Sequence, residues 1–408
     1  MEPTQRDVFQ GIVYYYRENT VLCRYRLVLN DPVDPALLQQ AVDAARPLAG
    51  YFFQKVVWEK REAHLEPNDA PCLVRQTDVQ PRIPEETNDY QFAFGCKGRE
   101  LYIDWYHFLA DGRGGSRLLT LVLKLYCNLR YGTAFVCEPQ KNDPPYDVEA
   151  LLARYPESQV ENDMQKPVTQ TSDAAPALVR VKLDKKSLVD AALALGIKPF
   201  SALVAIFCEA GRTYFGRDEL VYNYSTDVRD ALEAPNALFN CVASFQRSVT
   251  VKETDRLVDL APGVDADIKQ NLTKDRKRFR LAEQMGWVYQ VYRQRAALKI
   301  KKRVFQMGEY ISGFPSDFWV SYQGDPILPA DPALEAYIQE FETWVPADGA
   351  SMGVECITLH DVITICIANK TGRTGYAEAL RAAFEKEGVT VLEAAELGPS
   401  PYTSPYIP

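Results

Sequence analysis

One stretch in the first third of the chain constrains its fold most, because it specifies a strand, a tight turn and a helix in direct succession. Residues 100–107 alternate apolar and polar side chains with a period of two, the pattern of a half-buried strand, here ending at His107. The alternation breaks at Asp111 and Gly112, and apolar residues at helical spacing follow over residues 116–129. The sequence therefore predicts an imidazole at a strand end, four residues before a carboxylate in a glycine-rich turn.

Length and composition limit the class of protein. At 408 residues the chain exceeds a usual single core, so we expect two domains or two large subdomains. The net charge of -9 argues against general nucleic-acid binding. The longest apolar run, residues 202–208, is too short to span a membrane, and the N-terminus has no secretory segment. Nine cysteines without CxxC spacing indicate reduced thiols, so we expect a cytoplasmic protein.

A polar, proline-bearing stretch at residues 141–176 divides the chain into two halves. We expect an N-terminal subdomain at residues 1–140, which carries the turn described above, and a C-terminal subdomain at residues 177–408. Ile12–Tyr16 is predicted as a strand, and an almost wholly apolar core helix is predicted at residues 200–215. Both halves mix strands and helices, which indicates an α/β fold.

Only one of the three histidines lies in a setting that suits catalysis. His64 falls in a polar connection and His360 at the turn of a predicted hairpin, so we expect both in ordinary turn or loop positions. His107 is either a satisfied core residue or a general base. A neutral imidazole can take a proton from a hydroxyl or an amine, the step that acyl transfer from a thioester requires. A site with several histidine ligands is not expected, and no metal is required.

A basic segment lies in the second half. Residues 269–303 contain twelve lysines and arginines and two acidic residues, Asp275 and Glu283. One interpretation is a solvated helix face. The other is a docking surface for phosphate, either the nucleotide of coenzyme A or the acidic face of a carrier protein.

Residues 106–112, Tyr-His-Phe-Leu-Ala-Asp-Gly, resemble the HHxxxDG motif of the superfamily of CoA-dependent acyltransferases. This superfamily includes chloramphenicol acetyltransferase, alcohol acetyltransferases and the condensation domains of nonribosomal peptide synthetases. The preceding strand, the following helix and an earlier helix that begins at Asp34 and Pro35 stand in the order of its members. The resemblance implies an α/β fold of two chloramphenicol-acetyltransferase-like subdomains with a tunnel at their interface.

The resemblance also implies roles for four residues. His107 matches the second motif histidine, the general base that deprotonates the acceptor. Asp111 matches a structural aspartate that pairs with an arginine from the second half, here Arg229. A bidentate pair of this kind orients the turn and neutralises a buried carboxylate. Gly112 permits a tight backbone after Asp111, where a Cβ would obstruct substrate access.

The chain departs from the family pattern at three places. Tyr106 replaces the first motif histidine, and we expect its side chain to face away from that of His107. A late DFGWG-like segment is represented only by residues 317–324, in which Ser321 either donates a hydrogen bond to the oxyanion or simply packs. Asn240 falls where relatives often carry Gly-Asn, but Phe239 replaces the glycine.

The implied function is transfer of an acyl group from a thioester donor to the hydroxyl or amine of a small-molecule acceptor. The donor is acyl-CoA or acyl-phosphopantetheine on an acyl carrier protein, used as a co-substrate, and no cofactor is bound permanently. No nucleic-acid partner and no membrane span are expected. The alternative is a non-catalytic scaffold or carrier-protein-binding protein with a condensation-domain-like fold.

Overall fold

The computed structural model describes residues 9–16, 22–156, 176–312, 316–323, 332–347 and 350–399. The strands are β1 (Leu22–Leu29), β2 (Gln54–Trp58), β3 (Ala63–Pro67), β4 (Phe92–Lys97), β5 (Glu100–Tyr106), β6 (Ala177–Asp184), β7 (Glu219–Asp227), β8 (Val242–Thr250), β9 (Ser316–Tyr322), β10 (Ile338–Trp344), β11 (Ala350–Leu359), β12 (Val362–Asn369) and β13 (Val391–Pro399). The helices are α1 (Phe9–Tyr16), α2 (Pro35–Ala45), α3 (Gly112–Tyr131), α4 (Val148–Arg154), α5 (Lys185–Ala194), α6 (Pro199–Phe215), α7 (Arg229–Leu232), α8 (Leu257–Asn271), α9 (Lys274–Tyr292), α10 (Leu298–Ser312), α11 (Pro332–Glu335) and α12 (Tyr376–Lys386).

The first sheet is antiparallel, with strand order β10-β1-β5-β4. Helices α2 and α3 pack against each other beside it, and the Asp34 side chain caps α2 as expected by accepting hydrogen bonds from Ala36 and Leu37. Strand β10 comes from the second half of the chain and pairs with β1 in the register Leu27 to Phe341. The first sheet is therefore completed by a strand from beyond the crossover.

The second sheet has seven strands in the order β13-β6-β12-β11-β9-β7-β8. Strand β9 runs parallel to β7 and β11, and the other pairs are antiparallel. Helix α6 lies in the core of this half, between α12 and α8, with most of its residues buried. The all-round apolar character of its sequence predicted this position.

A third apolar cluster joins the two halves. It brings Phe9 and Ile12 of α1 together with Phe108 and with the buried face of α9, including Leu281 and Val288. The turn that follows β5 therefore packs against elements from both halves of the chain.

Two local predictions were wrong. Ile12–Tyr16 belongs to helix α1 and not to a strand, because Phe9, Ile12 and Tyr16 bury one helical face, and this packing overrides the β propensity of the tyrosines. His64 lies in strand β3, opposite Val57 of β2, and its Nε2 is 2.8 Å from Oε1 of Glu66.

Several cations of the basic segment form ion pairs within the chain. Lys277 Nζ lies 2.8 Å from Oδ1 of Asp230, and Arg280 Nη1 lies 3.1 Å from Oε2 of Glu283. Lys301 is buried and donates to the backbone carbonyl of Arg61 over 2.8 Å. Lys277 therefore holds α9 to α7 and Lys301 holds α10 to the turn between β2 and β3, whereas the Arg280 pair lies within α9.

No single helix among the described residues is both long and apolar enough to cross a membrane; α5 and α6 would qualify only jointly, with a bend of 94° between them.

Candidate active site

His107 lies in the turn directly after β5 and is partly buried. Pairing of β5 with β1 on one side and β4 on the other fixes the strand end. The turn is closed by a hydrogen bond from the Leu109 amide to the Tyr106 carbonyl, 2.8 Å, and by one from Trp105 Nε1 to the Ala110 carbonyl, 3.0 Å. The imidazole is thus carried by a rigid support.

Asp111 and Arg229, which the resemblance paired, form a bidentate ion pair. Nη1 and Nη2 of Arg229 lie 2.9 Å from Oδ2 and Oδ1 of Asp111, and both side chains are almost fully buried. The carboxylate also accepts hydrogen bonds from the amides of Gly114, where it caps α3, and of Cys241, at 2.9 and 2.8 Å. Burial alone would raise the pKa of Asp111, but Arg229 and these amides outweigh it and hold the pKa below its ordinary value.

Arg229 connects three segments around this carboxylate. Besides Asp111 it donates to the carbonyls of Ala237 and Phe239, at 2.9 and 3.1 Å. Desolvation alone would lower the pKa of Arg229, but Asp111 holds it above its ordinary value, so the pair is fully charged. The pair therefore fixes the loop at residues 237–241 against the turn that carries His107.

Asn240, in this loop, contacts His107 directly. Its Nδ2 lies 2.8 Å from Nδ1 and 3.2 Å from the carbonyl oxygen of His107. In this orientation the amide donates to Nδ1, so the proton of a neutral imidazole sits on Nε2. With the amide turned over, Oδ1 would accept from a protonated Nδ1 and leave the lone pair on Nε2, at the cost of the bond to the His107 carbonyl. The orientation of Asn240 thus decides which ring nitrogen can accept a proton.

Tyr14 of α1 covers the imidazole from the other side. The two rings are stacked with centroids 4.4 Å apart at an angle of 12°, and the Tyr14 hydroxyl lies 3.4 Å from Nε2 of His107. Sequence reasoning missed this residue because Ile12–Tyr16 was predicted as a strand. A helical spacing of Phe9, Ile12 and Tyr16 was the signal that could have found it.

The glycines of the turn allow two segments of the second half to approach closely. A Cβ on Gly112 would lie 2.5 Å from Oε1 of Gln323, and one on Gly114 would lie 2.2 Å from the Leu238 carbonyl oxygen. The sequence predicted that a Cβ at Gly112 would obstruct substrate. The space beside Gly112 is instead occupied by Gln323.

Two other predicted site residues, Tyr106 and Ser321, contact an aromatic and an acidic side chain respectively. Tyr106 is buried and stacks on Phe108, with ring centroids 5.7 Å apart. Ser321 of β9 is the register partner of Glu355 in β11, where burial raises the pKa of Glu355 and the Gln323 and Ser321 side chains offset part of that rise. Neither Glu355 nor Gln323 was predicted as a site residue, because nothing in a strand sequence says which side chains meet across a sheet.

The chain also contains a GxSxG pattern at residues 349–353, which in α/β-hydrolases marks a nucleophilic serine on a strand-to-helix turn. Ser351 is 1% exposed and lies inside β11, which is followed by β12. The elbow geometry that exposes a nucleophile is absent at Ser351, so this serine does not enter the site.

No protein-family model and no curated protein matches the chain. Solved structures do match it. Polyketide synthase associated protein 5 from Mycobacterium tuberculosis is 16% identical, with a TM-score of 0.62 over 92% of this chain and 96% of that one. The first condensation domain of the calcium-dependent antibiotic synthetase, in complex with a substrate analogue, is 15% identical, with a TM-score of 0.64 over 94% and 93%.

The protein TRI101 of F. sporotrichioides, complexed with coenzyme A and T-2, is 12% identical, with a TM-score of 0.62 over 94% of this chain and 99% of that one. The chain therefore shares the fold of these solved structures, and the mixed α/β class predicted from the sequence is confirmed.

Proposed function

We propose that the protein is an acyltransferase that moves an acyl group from a thioester to a hydroxyl or amine acceptor, with His107 as general base. The observation that carries this proposal is the setting of His107. Its imidazole lies at the end of β5, is hydrogen-bonded by Asn240, and is carried on a turn that the Asp111–Arg229 pair ties to the second half.

The chemistry requires only proton transfer and attack. Nε2 of His107 takes the proton of the acceptor while the acceptor oxygen or nitrogen attacks the thioester carbonyl. The tetrahedral intermediate collapses by breaking the carbon–sulfur bond, and the imidazolium returns its proton to the departing thiolate. This assignment requires the Asn240 amide with Oδ1 toward Nδ1, so that Nε2 carries the lone pair. The Tyr14 ring covers one face of the imidazole, so an acceptor hydroxyl has to approach Nε2 in the plane of the ring.

The donor is a thioester of coenzyme A or of a carrier protein. Two structures of similar fold support this class, since one was solved with coenzyme A and another is a condensation domain with a substrate analogue. Ser321 of β9, beside Glu355 of β11, is the proposed donor of a hydrogen bond to the oxyanion. The Ser321→Ala variant tests this role through a selective loss of kcat.

The decisive experiment measures thioester turnover with His107→Ala, with acyl-CoA and acyl carrier protein as donors and a panel of alcohols and amines as acceptors. We expect kcat/KM to fall by about 100-fold or more, the usual contribution of a general base. His64→Ala is the matched control, because His64 lies in β3 and contacts Glu66. Equal turnover by wild type and His107→Ala, with both folded, would exclude His107 as the base.

The alternative is a non-catalytic scaffold or carrier-protein-binding protein. Tyr106 in place of a motif histidine and the amide nitrogen of Asn240 facing Nδ1 both favour it. It predicts that wild type binds an acyl carrier protein but transfers no acyl group to any acceptor.

A further inference from the structure

A carboxyl group that the proposed chemistry does not use lies behind the motif turn. Glu355 of β11 is 4% exposed, and its Oε2 lies 2.9 Å from Nε2 of Gln323. Within the described residues no cation forms an ion pair with it. The titratable groups that interact with it electrostatically are Cys23 and Tyr25 of β1 and Cys356 of its own strand, and burial raises the pKa of each, so all three are uncharged. Burial therefore raises the pKa of Glu355 to about 8.

Gln323 and Tyr25 connect this carboxyl group to the motif. Oε1 of Gln323 lies in contact with the Tyr25 hydroxyl, and Nε2 also lies 3.2 Å from Oγ1 of Thr343. The Tyr25 hydroxyl is in turn 2.8 Å from the carbonyl oxygen of Gly112. Glu355, Gln323, Tyr25 and Gly112 thus form a continuous hydrogen-bonded relay from the second sheet to the first turn of α3.

The number of protons in the relay depends on Glu355. The Tyr25 hydroxyl has one proton but faces two oxygen acceptors, on Gln323 and on Gly112. If Glu355 is ionised, the Gln323 amide must donate to it, so its oxygen points at Tyr25 and competes with Gly112 for that proton. If Glu355 is protonated, it donates to the turned amide of Gln323, the amide donates to Tyr25, and Tyr25 donates to Gly112. In the protonated relay the Tyr25 proton thus has a single acceptor, the Gly112 carbonyl, whereas in the ionised relay it is shared between two acceptors.

We propose that Glu355 is a positioning residue for the site, whose proton directs the Tyr25 hydroxyl onto the Gly112 carbonyl and so holds the turn that carries His107 and Asp111. The part that concerns catalysis rests on the proposed function. Loss of the proton withdraws this hydrogen bond and loosens the turn, while the Asp111–Arg229 pair keeps it folded.

The first test needs no activity. Hydrogen exchange of the peptide that spans residues 105–118 is compared between wild type and Glu355→Gln, on the acid and alkaline sides of the Glu355 pKa. The glutamine stays neutral, and its amide can both donate and accept. We expect equal protection of the two proteins on the acid side and faster exchange in wild type on the alkaline side. Comparing the two proteins at the same pH cancels the pH dependence of intrinsic exchange. Equal protection on both sides would overturn the proposal.

Glu209→Gln is the matched control for this measurement. Glu209 is also a buried glutamate whose pKa burial raises, but it lies on α6 and pairs with Lys386. We expect the Glu209→Gln protein to exchange like wild type in the turn at both pH values. The same slowing in Glu209→Gln as in Glu355→Gln would show a global effect and contradict the relay.

The second test is the pH profile of kcat. We expect wild-type kcat to fall on the alkaline side as Glu355 ionises, and Glu355→Gln to keep its kcat there. Tyr25→Phe should have a lower kcat at every pH and an unchanged KM. Its kcat should not fall further on the alkaline side when Glu355 ionises. If exchange responds to Glu355 but wild type transfers no acyl group, the proposed function fails and the relay stands. If transfer occurs with the same alkaline profile in all three proteins, the relay fails alone.

Discussion

The contact between Asn240 and His107 decides at the scale of single residues whether the imidazole can act as a base. The amide nitrogen faces Nδ1 and the carbonyl oxygen of His107, an arrangement that holds the ring firmly. Base catalysis at Nε2 requires an acceptor beside Nδ1, which the amide supplies only in the opposite orientation. A carboxylate at position 240 would supply that acceptor permanently.

We therefore expect Asn240→Asp to retain acyl transfer within about 10-fold of wild type, and Asn240→Ala to lose about 10- to 100-fold in kcat. The aspartate should also raise the pKa that governs the acid limb of the pH profile, because it stabilises the imidazolium. Steady-state kinetics over pH measure both effects. A larger loss in Asn240→Asp than in Asn240→Ala would show that the amide acts as a donor to Nδ1.

Glu355 shapes the pH dependence of stability at the same scale. Between the ordinary glutamate value of 4.5 and about 8, the folded protein retains the Glu355 proton and the unfolded chain has lost it. The folded state binds more protons there, so this group's contribution to the free energy of unfolding decreases as pH rises. The contribution is complete below pH 4.5 and is lost as pH rises through the folded pKa.

We expect the free energy of unfolding of wild type, relative to that of Glu355→Gln, to fall by about 1.4 kcal/mol for each pH unit of increase across that window. Urea unfolding at several pH values measures it, and the variant removes the slopes of all other groups from the comparison. A difference that stays constant with pH would mean that Glu355 titrates normally.

At the scale of elements, the first turn of α3 depends on one buried ion pair and on two close contacts, of Gly112 with the Gln323 side chain and of Gly114 with the Leu238 carbonyl. Asp111 caps the helix while binding Arg229, so one carboxylate serves both the local and the long-range contact. The motif predicted this pair, because the strand, the turn and the helix are local features and the partner follows from the resemblance. Gln323 and Glu355 could not be predicted, since their contacts join residues tens to hundreds of positions apart.

The Asp111→Asn variant should lose on the order of 3–5 kcal/mol in free energy of unfolding, because it leaves the Arg229 charge buried without compensation. Chemical denaturation measures this loss. Asp190→Ala is a control of the same residue type, since Asp190 pairs with Lys186 on the surface with 57% of its side chain exposed. It should change stability by less than about 1 kcal/mol. Comparable losses in the two variants would rule out a special role for the buried pair.

Gly114→Ala should destabilise the protein by about 1–3 kcal/mol, because the new methyl group would overlap the Leu238 carbonyl and force the turn and the loop apart. Gly263→Ala is the matched control, in helix α8 with no atom near the added methyl group. It should stabilise the protein by about 0.5–1 kcal/mol through helix propensity. Thermal unfolding of both variants, with acyl transfer measured in parallel, checks these signs.

At the scale of the whole molecule, β10 connects the two sheets. It pairs with β1, and its Glu342 accepts hydrogen bonds from Arg26 of the first sheet and Arg180 of the second, at 2.8 and 2.7 Å. The sequence boundaries at residues 140 and 177 did not predict this arrangement, because strand pairing between distant segments leaves no local pattern. What sequence did predict is the class of fold and the position of its central turn.

Because β10 of the second half pairs with β1 of the first, each half is expected to need the other in order to fold. A fragment that ends at residue 156 would contain β1 with one edge unpaired, a row of backbone donors and acceptors open to association with other chains. The second half alone would carry β10 without the strand it pairs with. We therefore expect the chain to fold as a single unit, and a cut at the crossover to yield aggregates rather than two independent domains.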